Sequence, residues 1–229
     1  MINFDIQPLF PITLFGQEIW ITQTIRNTWF IMLFLVGLAI FLRIKLRKME
    51  EVPSGLQNVV ETMVEASDAF VKSMAGEKLR FVGGWFFTAF AFILISNLSG
   101  LVGLRPPTAD WATTFALALV TFLWIQISGI RGRGAGYLKT FIQPMPLFLP
   151  INLIGELSRP ISLSLRLFGN VMAGLVIMTL LYSLAPIFVL IGVPVFLHAY
   201  FDLVMGLLQT YVFCALSLAF VGAAYGEPV

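Results

Sequence analysis

The sequence predicts an all-α integral membrane protein. Five transmembrane helices are joined by one amphipathic surface helix, and the last two spans form a long, strongly tilted hairpin. Three observations lead there. The 229 residues are 59% hydrophobic and 11% charged, whereas soluble domains carry roughly 25% charged residues and 45–50% apolar ones; mean hydropathy is +0.92. Apolar runs of membrane-crossing length recur along the chain, separated by polar or basic stretches. The last two runs are too long to cross a bilayer upright.

Residues 1–21 are expected to be an extramembrane tail, and 22–229 a single membrane domain. Asp5 and Glu18 lie in this first stretch, which lacks a basic leader and a small-residue cleavage site after an apolar core, so it does not look like a cleaved signal peptide. A hydrocarbon core about 30 Å thick needs about 20 apolar residues per helix. The first such segment is about 22–42, centred on WFIMLFLVGLAIFL, and RIKLRK at 43–48 follows with four basic residues. Residues 55–76, GLQNVVETMVEASDAFVKSMAG, read as the surface helix. Val59, Val60, Met63, Val64, Phe70, Val71 and Met74 recur at helical spacing, with Glu61, Glu65, Asp68 and Lys72 on the other face. The second span is about 81–104, the loop RPPTAD covers 105–110, and the third span is about 111–130. RGRGAGYLK at 131–139 adds three basic residues.

From residue 147 the chain is almost without polar breaks. Two apolar stretches, about 147–184 and 187–225, meet near Ala185-Pro186. Each would be on the order of 55 Å long as a helix, so both must lie oblique to the bilayer. Basic loops favour the cytoplasmic side. Placing 43–48 and 131–139 inside puts the N-terminus outside and the C-terminus in the cytoplasm.

Composition also excludes chemistry. A net charge of +2 is too small to suggest a nucleic-acid partner. One cysteine, Cys214, and one histidine, His198, leave no disulfide and no transition-metal cluster. RGRGAG lacks the Lys-Ser/Thr ending of a phosphate-binding loop, and no nucleophile–base spacing stands out. The expectation is a protein with no cofactor, no metal and no catalytic site of its own.

What remains is a set of charges inside the membrane. Arg166 sits in ISLSLRLFGN with no acid within nine residues on either side. A charge at that depth costs from about 3 to more than 10 kcal/mol and marks a functional site by default. On a helix, Asn152, Arg159, Ser162, Arg166 and Asn170 fall within about 40° of one face, with Glu156 off that stripe but close to Arg159. On the second long helix His198, Asp202, Gly206 and Gln209 recur at four, four and three residues. Two polar stripes on adjacent helices suit a wet path. They equally suit a structural bridge between Arg166 and Asp202, or a small ion-coupled secondary transporter built on that pair, although the chain lacks the internal repeats of such transporters.

The segment SRPISLSLRLFGNVMAG at 158–174 resembles the signature of the a subunit of F-type rotary ATP synthases. PTADWATTFALAL at 107–119, QPMPLFLPIN at 143–152 and the final helix with Gln209 resemble the same family in the same order. The resemblance implies an ion-conducting stator, for protons or sodium, with two offset half-channels. Arg166 would face the carboxylates of a rotating ring of c subunits; peripheral-stalk b subunits, the rest of the complex and the lipid bilayer would be the other partners. It implies that Asn170 and Gln209 hydrate or orient Arg166, that Asp202 serves the outer half-channel with Asn97 and Asp110 at its mouth, and that Glu156, Ser158 and Ser162 line the inner one beside Arg159. His198, one turn from Asp202, is a candidate helper. Leu175 departs from the family, since relatives often carry an ionisable residue there. The resemblance implies a bacterial plasma membrane, or alternatively a thylakoid membrane.

Overall fold

The computed structural model describes residues 8–14, 17–47, 51–142, 145–186, 189 and 192–226. Among them are five helices long and apolar enough to cross a membrane, in the order the sequence predicts.

The first, α1 (Gln23–Lys45), starts where Thr22 turns extended and its hydroxyl accepts a hydrogen bond from the Ile25 N–H at 3.3 Å. It ends with Arg43 and Lys45 beside the negative end of the helix dipole. Only Thr24, Asn27 and Ile31 are buried along it. That spacing is one narrow stripe, and Phe30, Leu33, Phe34 and Phe41 on the rest of the surface are exposed, as lipid contact requires. The stripe is anchored by Asn27, whose amide donates to the Arg105 carbonyl at 2.9 Å.

Strands β1 (Pro8–Leu14) and β2 (Gln17–Thr22) pair antiparallel, with Pro11 opposite Trp20 and Thr13 opposite Glu18. Strands of seven and six residues with two prolines among them carry too short a period-two signal to be told from coil by sequence.

Helix α2 (Leu56–Ala75) is the expected amphipathic helix, and its two halves behave differently. Val71 and Ala75 are buried, with Phe70 and Met74 packed against the same cluster, while Val59, Met63 and Val64 are exposed. A 3₁₀ turn (Glu77–Val82) leads into α3 (Gly83–Leu98), and another (Ser99–Val102) leaves it. Asp110 then caps α4 (Trp111–Arg133), accepting from the Ala112 N–H at 3.1 Å. A short α5 (Ala135–Thr140) follows.

The hairpin consists of α6 (Leu149–Leu184), 36 residues, and α7 (Val193–Tyr225), 33 residues. At about 54 and 50 Å both exceed a hydrocarbon core of about 30 Å and must incline across it. Helix α6 stops because Pro186 forces Ala185 into an extended conformation. Helix α7 is interrupted by a π-helical turn at Ala199–Met205, which the sequence did not announce.

Two buried clusters hold the bundle. Val71, Leu79, Val82, Phe86, Ile125, Leu218 and Val221 join α2, α3, α4 and the end of α7. Ile93, Ala118, Leu163, Leu167, Phe213 and Cys214 join α3, α4, α6 and α7. In lipid, helices associate through close packing rather than hydrophobic expulsion, so small residues matter at the contacts. A Cβ on Gly132 of α4 would collide with the backbone carbonyl of Tyr225 on α7. Gly132→Ala is therefore expected to destabilise the protein by about 1–3 kcal/mol, whereas Gly84→Ala, with nothing within 4 Å of its new Cβ, is expected to be neutral or stabilising. Thermal midpoints of the two variants in one detergent check the contrast; equal midpoints would remove the close approach as a packing determinant.

Candidate functional site

Packing Leu163, Ser164 and Leu167 of α6 into the bundle turns Ile161, Ser162, Leu165, Arg166 and Gly169 outward. Arg166 is exposed, and among the described residues it makes no hydrogen bond or ion pair. The structural bridge to Asp202 is not formed. Helix α6 is steadied behind the arginine by Trp111, whose indole N–H donates to Ser164 Oγ at 3.3 Å.

A cavity of about 330 Å³ lies to one side of Arg166, between α6, α7 and the segment after α3. Its wall brings together Asn97, Asn170, His198, Asp202 and Gln209. Asn170 follows Arg166 by four residues, about 6 Å along the helix axis, and its amide donates to Gln209 Oε1 at 2.5 Å, tying α6 to α7. The Gln209 amide nitrogen is buried without a partner among the described residues. Asn97 is fully engaged. Its amide donates to the Gly206 carbonyl at 3.1 Å and to Thr210 Oγ1 at 3.4 Å, and its oxygen accepts from the Thr108 hydroxyl at 2.8 Å. Asp202 sits in the π-helical turn, with Oδ2 at 2.6 Å from His198 Nδ1. The other imidazole nitrogen is 3.2 Å from the Tyr182 hydroxyl of α6. Gly100 makes room for the carboxylate: a Cβ there would lie 2.8 Å from Asp202 Oδ1.

A second cavity, about 520 Å³, lies on the other side and is walled in part by Arg133, Tyr137, Asn152, Glu156 and Arg159. Arg159 precedes Arg166 by seven residues, about 10 Å. Its Nη1 is 2.7 Å from Glu156 Oε1, and its guanidinium lies 5.3 Å from the Phe220 ring centre. The other Glu156 oxygen is buried with no partner among the described residues. Tyr137 donates to Gln126 Oε1 at 3.1 Å. Burial, and then the nearby Glu156 charge, push the Tyr137 phenol pKa up, so it stays a donor. Arg166 is in the wall of neither cavity.

Three expected channel residues lie elsewhere. Asp110 is spent on the α4 cap rather than the wall of the first cavity. Ser158 is exposed, its hydroxyl bonded to the Gly155 carbonyl of its own helix at 2.7 Å, and Ser162 is exposed on the Arg166 face. Neither lines the second cavity. Asn152, Glu156 and Arg159 wall the second cavity with residues of α5 and the end of α7, which Ser158 and Ser162 do not reach. Sequence reading passed over Tyr182 and Thr108, because a lone tyrosine or threonine in an apolar run has no pattern to mark it.

Five helices long and apolar enough to cross a membrane define a polytopic membrane protein. The family model described as ATP synthase A chain matches residues 27–222. "ATP synthase subunit a" of Moorella thermoacetica is 38% identical over 203 residues, 88% of this chain and 89% of that protein. "ATP synthase subunit a, sodium ion specific" of Propionigenium modestum is 36% identical over 224 residues, 90% of this chain and 75% of that protein. "ATP synthase subunit a" of Solidesulfovibrio magneticus is 42% identical over 172 residues, 73% of this chain and 71% of that protein. The chain belongs to the ATP synthase a-subunit family, the ion-translocating subunits of the membrane sector.

Proposed function

We propose that this chain is the stator of a rotary ATP synthase membrane sector, conducting protons or sodium ions through two half-channels that Arg166 separates. The first cavity is the outer half-channel and the second the inner one, with the N-terminus outside and the C-terminus in the cytoplasm of a bacterial plasma membrane; a thylakoid membrane is the alternative. The partners are a ring of small c subunits, which carries the mobile carboxylates, and peripheral-stalk b subunits. The observation that carries this reading is Arg166: outward, without an acid partner among the described residues, and on the helix that contributes to the walls of two cavities.

The chemistry follows from the charge. An arginine guanidinium stays protonated at any physiological pH and cannot relay protons. A carboxylic acid arriving within about 4–6 Å of it has its pKa lowered by roughly 1–3, so the acid releases its ion there. Moving on into lipid, the same acid is desolvated and must be neutralised first. Cargo discharged on one side of Arg166 is thereby prevented from slipping straight to the other, and the ring has to turn.

Disulfide cross-linking in the assembled complex tests the reading. Ser162→Cys, on the Arg166 face, is expected to cross-link to a cysteine placed beside the carboxylate of the ring subunit. Phe34→Cys, on the lipid face of α1, is expected not to. Equal yields from the two positions, or none from residue 162, would overturn it.

A further inference from the structure

Resting on that reading, we propose that Tyr137 is a positioning residue of the inner half-channel: keyed into a notch of α4, its ring fixes α5 as one wall of the second cavity and so sets the width of that cavity. The notch is Gly129. A Cβ there would lie 2.5 Å from Tyr137 Cε2 and 2.6 Å from its Cζ, so the ring reaches the backbone of α4 only because residue 129 has no side chain. The hydroxyl of the same tyrosine donates to Gln126 Oε1 at 3.1 Å. Gln126 and Gly129 are three residues apart and share a helix face, so α4 holds both the ring and its tip. The side chain is buried, at 4% exposure.

Among the described side chains of α5, Tyr137 alone is buried; Gly136 and Lys139 are exposed and Thr140 is half-buried. The helix has six residues, far short of the roughly 12–15 at which a helix begins to hold by itself in water. Gly134, with φ of +57°, turns the chain out of α4 just before it. Helix α5 therefore takes its direction from the tyrosine. From there the contact passes to α6. Phe141 meets the Tyr137 ring edge-on, with centres 5.3 Å apart and planes at 84°. The Phe141 carbonyl in turn accepts from the Asn152 amide of α6 at 2.9 Å.

Tyr137, Thr140 and Phe141 stand in the cavity wall with Glu156 and Arg159 of α6. The 2.7 Å pair between Glu156 and Arg159 is made within α6 and does not need α5 to form. Displacing α5 widens the cavity without removing a charge. Water admitted beside the pair raises the local dielectric and weakens the field it sets across the cavity. Width and charge are thus set by different residues, and Tyr137 governs the width.

Gly155→Cys supplies the reporter, in the assembled enzyme held in lipid nanodiscs. Residue 155 is in the cavity wall, a Cβ there meets nothing within 4 Å, and the native Cys214 is buried. The readout is the rate at which a charged, water-soluble methanethiosulfonate labels residue 155. On that background Tyr137→Ala and Gly129→Ala are each expected to raise the rate at least about fivefold, as a local opening does. Both are also expected to slow ATP synthesis in proteoliposomes by about three- to tenfold, through misplaced groups rather than lost ones. Tyr137→Phe keeps the key and loses only the bond to Gln126, so its labelling rate is expected to stay within about twofold of the parent, water replacing the hydroxyl. Parent rates of labelling from both Tyr137→Ala and Gly129→Ala overturn the proposal, and so does a Tyr137→Phe rate as high as that of Tyr137→Ala. Should Tyr137→Ala fail to assemble, Gly129→Ala and Tyr137→Phe carry the comparison. Coupled synthesis retained by Arg166→Gln defeats the stator reading whatever the labelling; unchanged labelling with Arg166 essential defeats the positioning role alone.

Discussion

Arg166→Lys is expected to reduce coupled ATP synthesis by at least about 100-fold while the subunit still folds and assembles. That magnitude is typical of removing a preorganised electrostatic group from a low-dielectric site. Lysine keeps a formal charge, so a mere counter-ion role would tolerate it. Three differences work against the exchange. The ammonium is a point donor and cannot offer a carboxylate the two parallel N–H bonds of a guanidinium. It is more strongly hydrated, so facing an apolar ring costs it more. It also loses its proton more readily when desolvated, and a neutral amine no longer blocks the straight path between cavities. Folding has little stake in the change, because Arg166 is exposed and makes no ion pair among the described residues. Co-purification with the ring and ATP-driven acidification of vesicles separate the two effects. A further consequence concerns leak: Arg166→Gln removes the fixed charge altogether and is expected to make vesicles passively permeable to the coupling ion. Tight, inactive vesicles from that variant would contradict the blocking role, and near-normal synthesis from Arg166→Lys would contradict the electrostatic one.

The alternatives left open by the sequence are narrowed by where Asp202 ends up. A structural bridge and a small transporter both require Arg166 and Asp202 to meet. Asp202 is instead held by His198 and seated against Gly100, and Arg166 points out of the bundle.

Much of this was legible beforehand because the signals are long. Spans of 16 to 36 residues follow from hydropathy, and the break between the last two from the restriction Pro186 places on its predecessor. The stripe on α6 was legible because one helix runs from Asn152 to Asn170, with Pro160 inside it. Phase is also where reading stopped. The π-helical turn at 199–205 rotates everything before it relative to everything after it. No sequence rule placed it, so the meeting of His198 with Tyr182 across the hairpin could not be foreseen. Asp110 shows a second limit. An acid ahead of a helix can cap it as well as line a channel mouth, and the 3.1 Å bond from the Ala112 N–H shows the cap. The β-hairpin shows a third, since pairing between short strands is a long-range choice written weakly in either strand alone.

Asp202→Asn is expected to slow ATP-driven pumping and ATP synthesis by roughly 10- to 100-fold, a loss in the range of a missing proton-transfer group, and to leave assembly intact. Asparagine keeps the shape that fits against Gly100 and keeps an oxygen able to accept from His198. It cannot take up a proton and release it. The structural and chemical roles of this side chain are thus separable in one substitution. Asp202→Glu is the informative companion. Glutamate restores the acid, but its extra methylene moves the carboxylate from the position in which it meets His198. It is expected to recover only part of the rate, and Gly100→Ala is expected to impair proton uptake by displacing the carboxylate from His198 though it removes no functional group. The ordering wild type, then Asp202→Glu and Gly100→Ala, then Asp202→Asn, read as initial rates of vesicle acidification, is the expected signature. Pump rates for Asp202→Asn that match the wild type across pH would take Asp202 off the path and leave the outer cavity a water-filled vestibule whose polarity alone conducts.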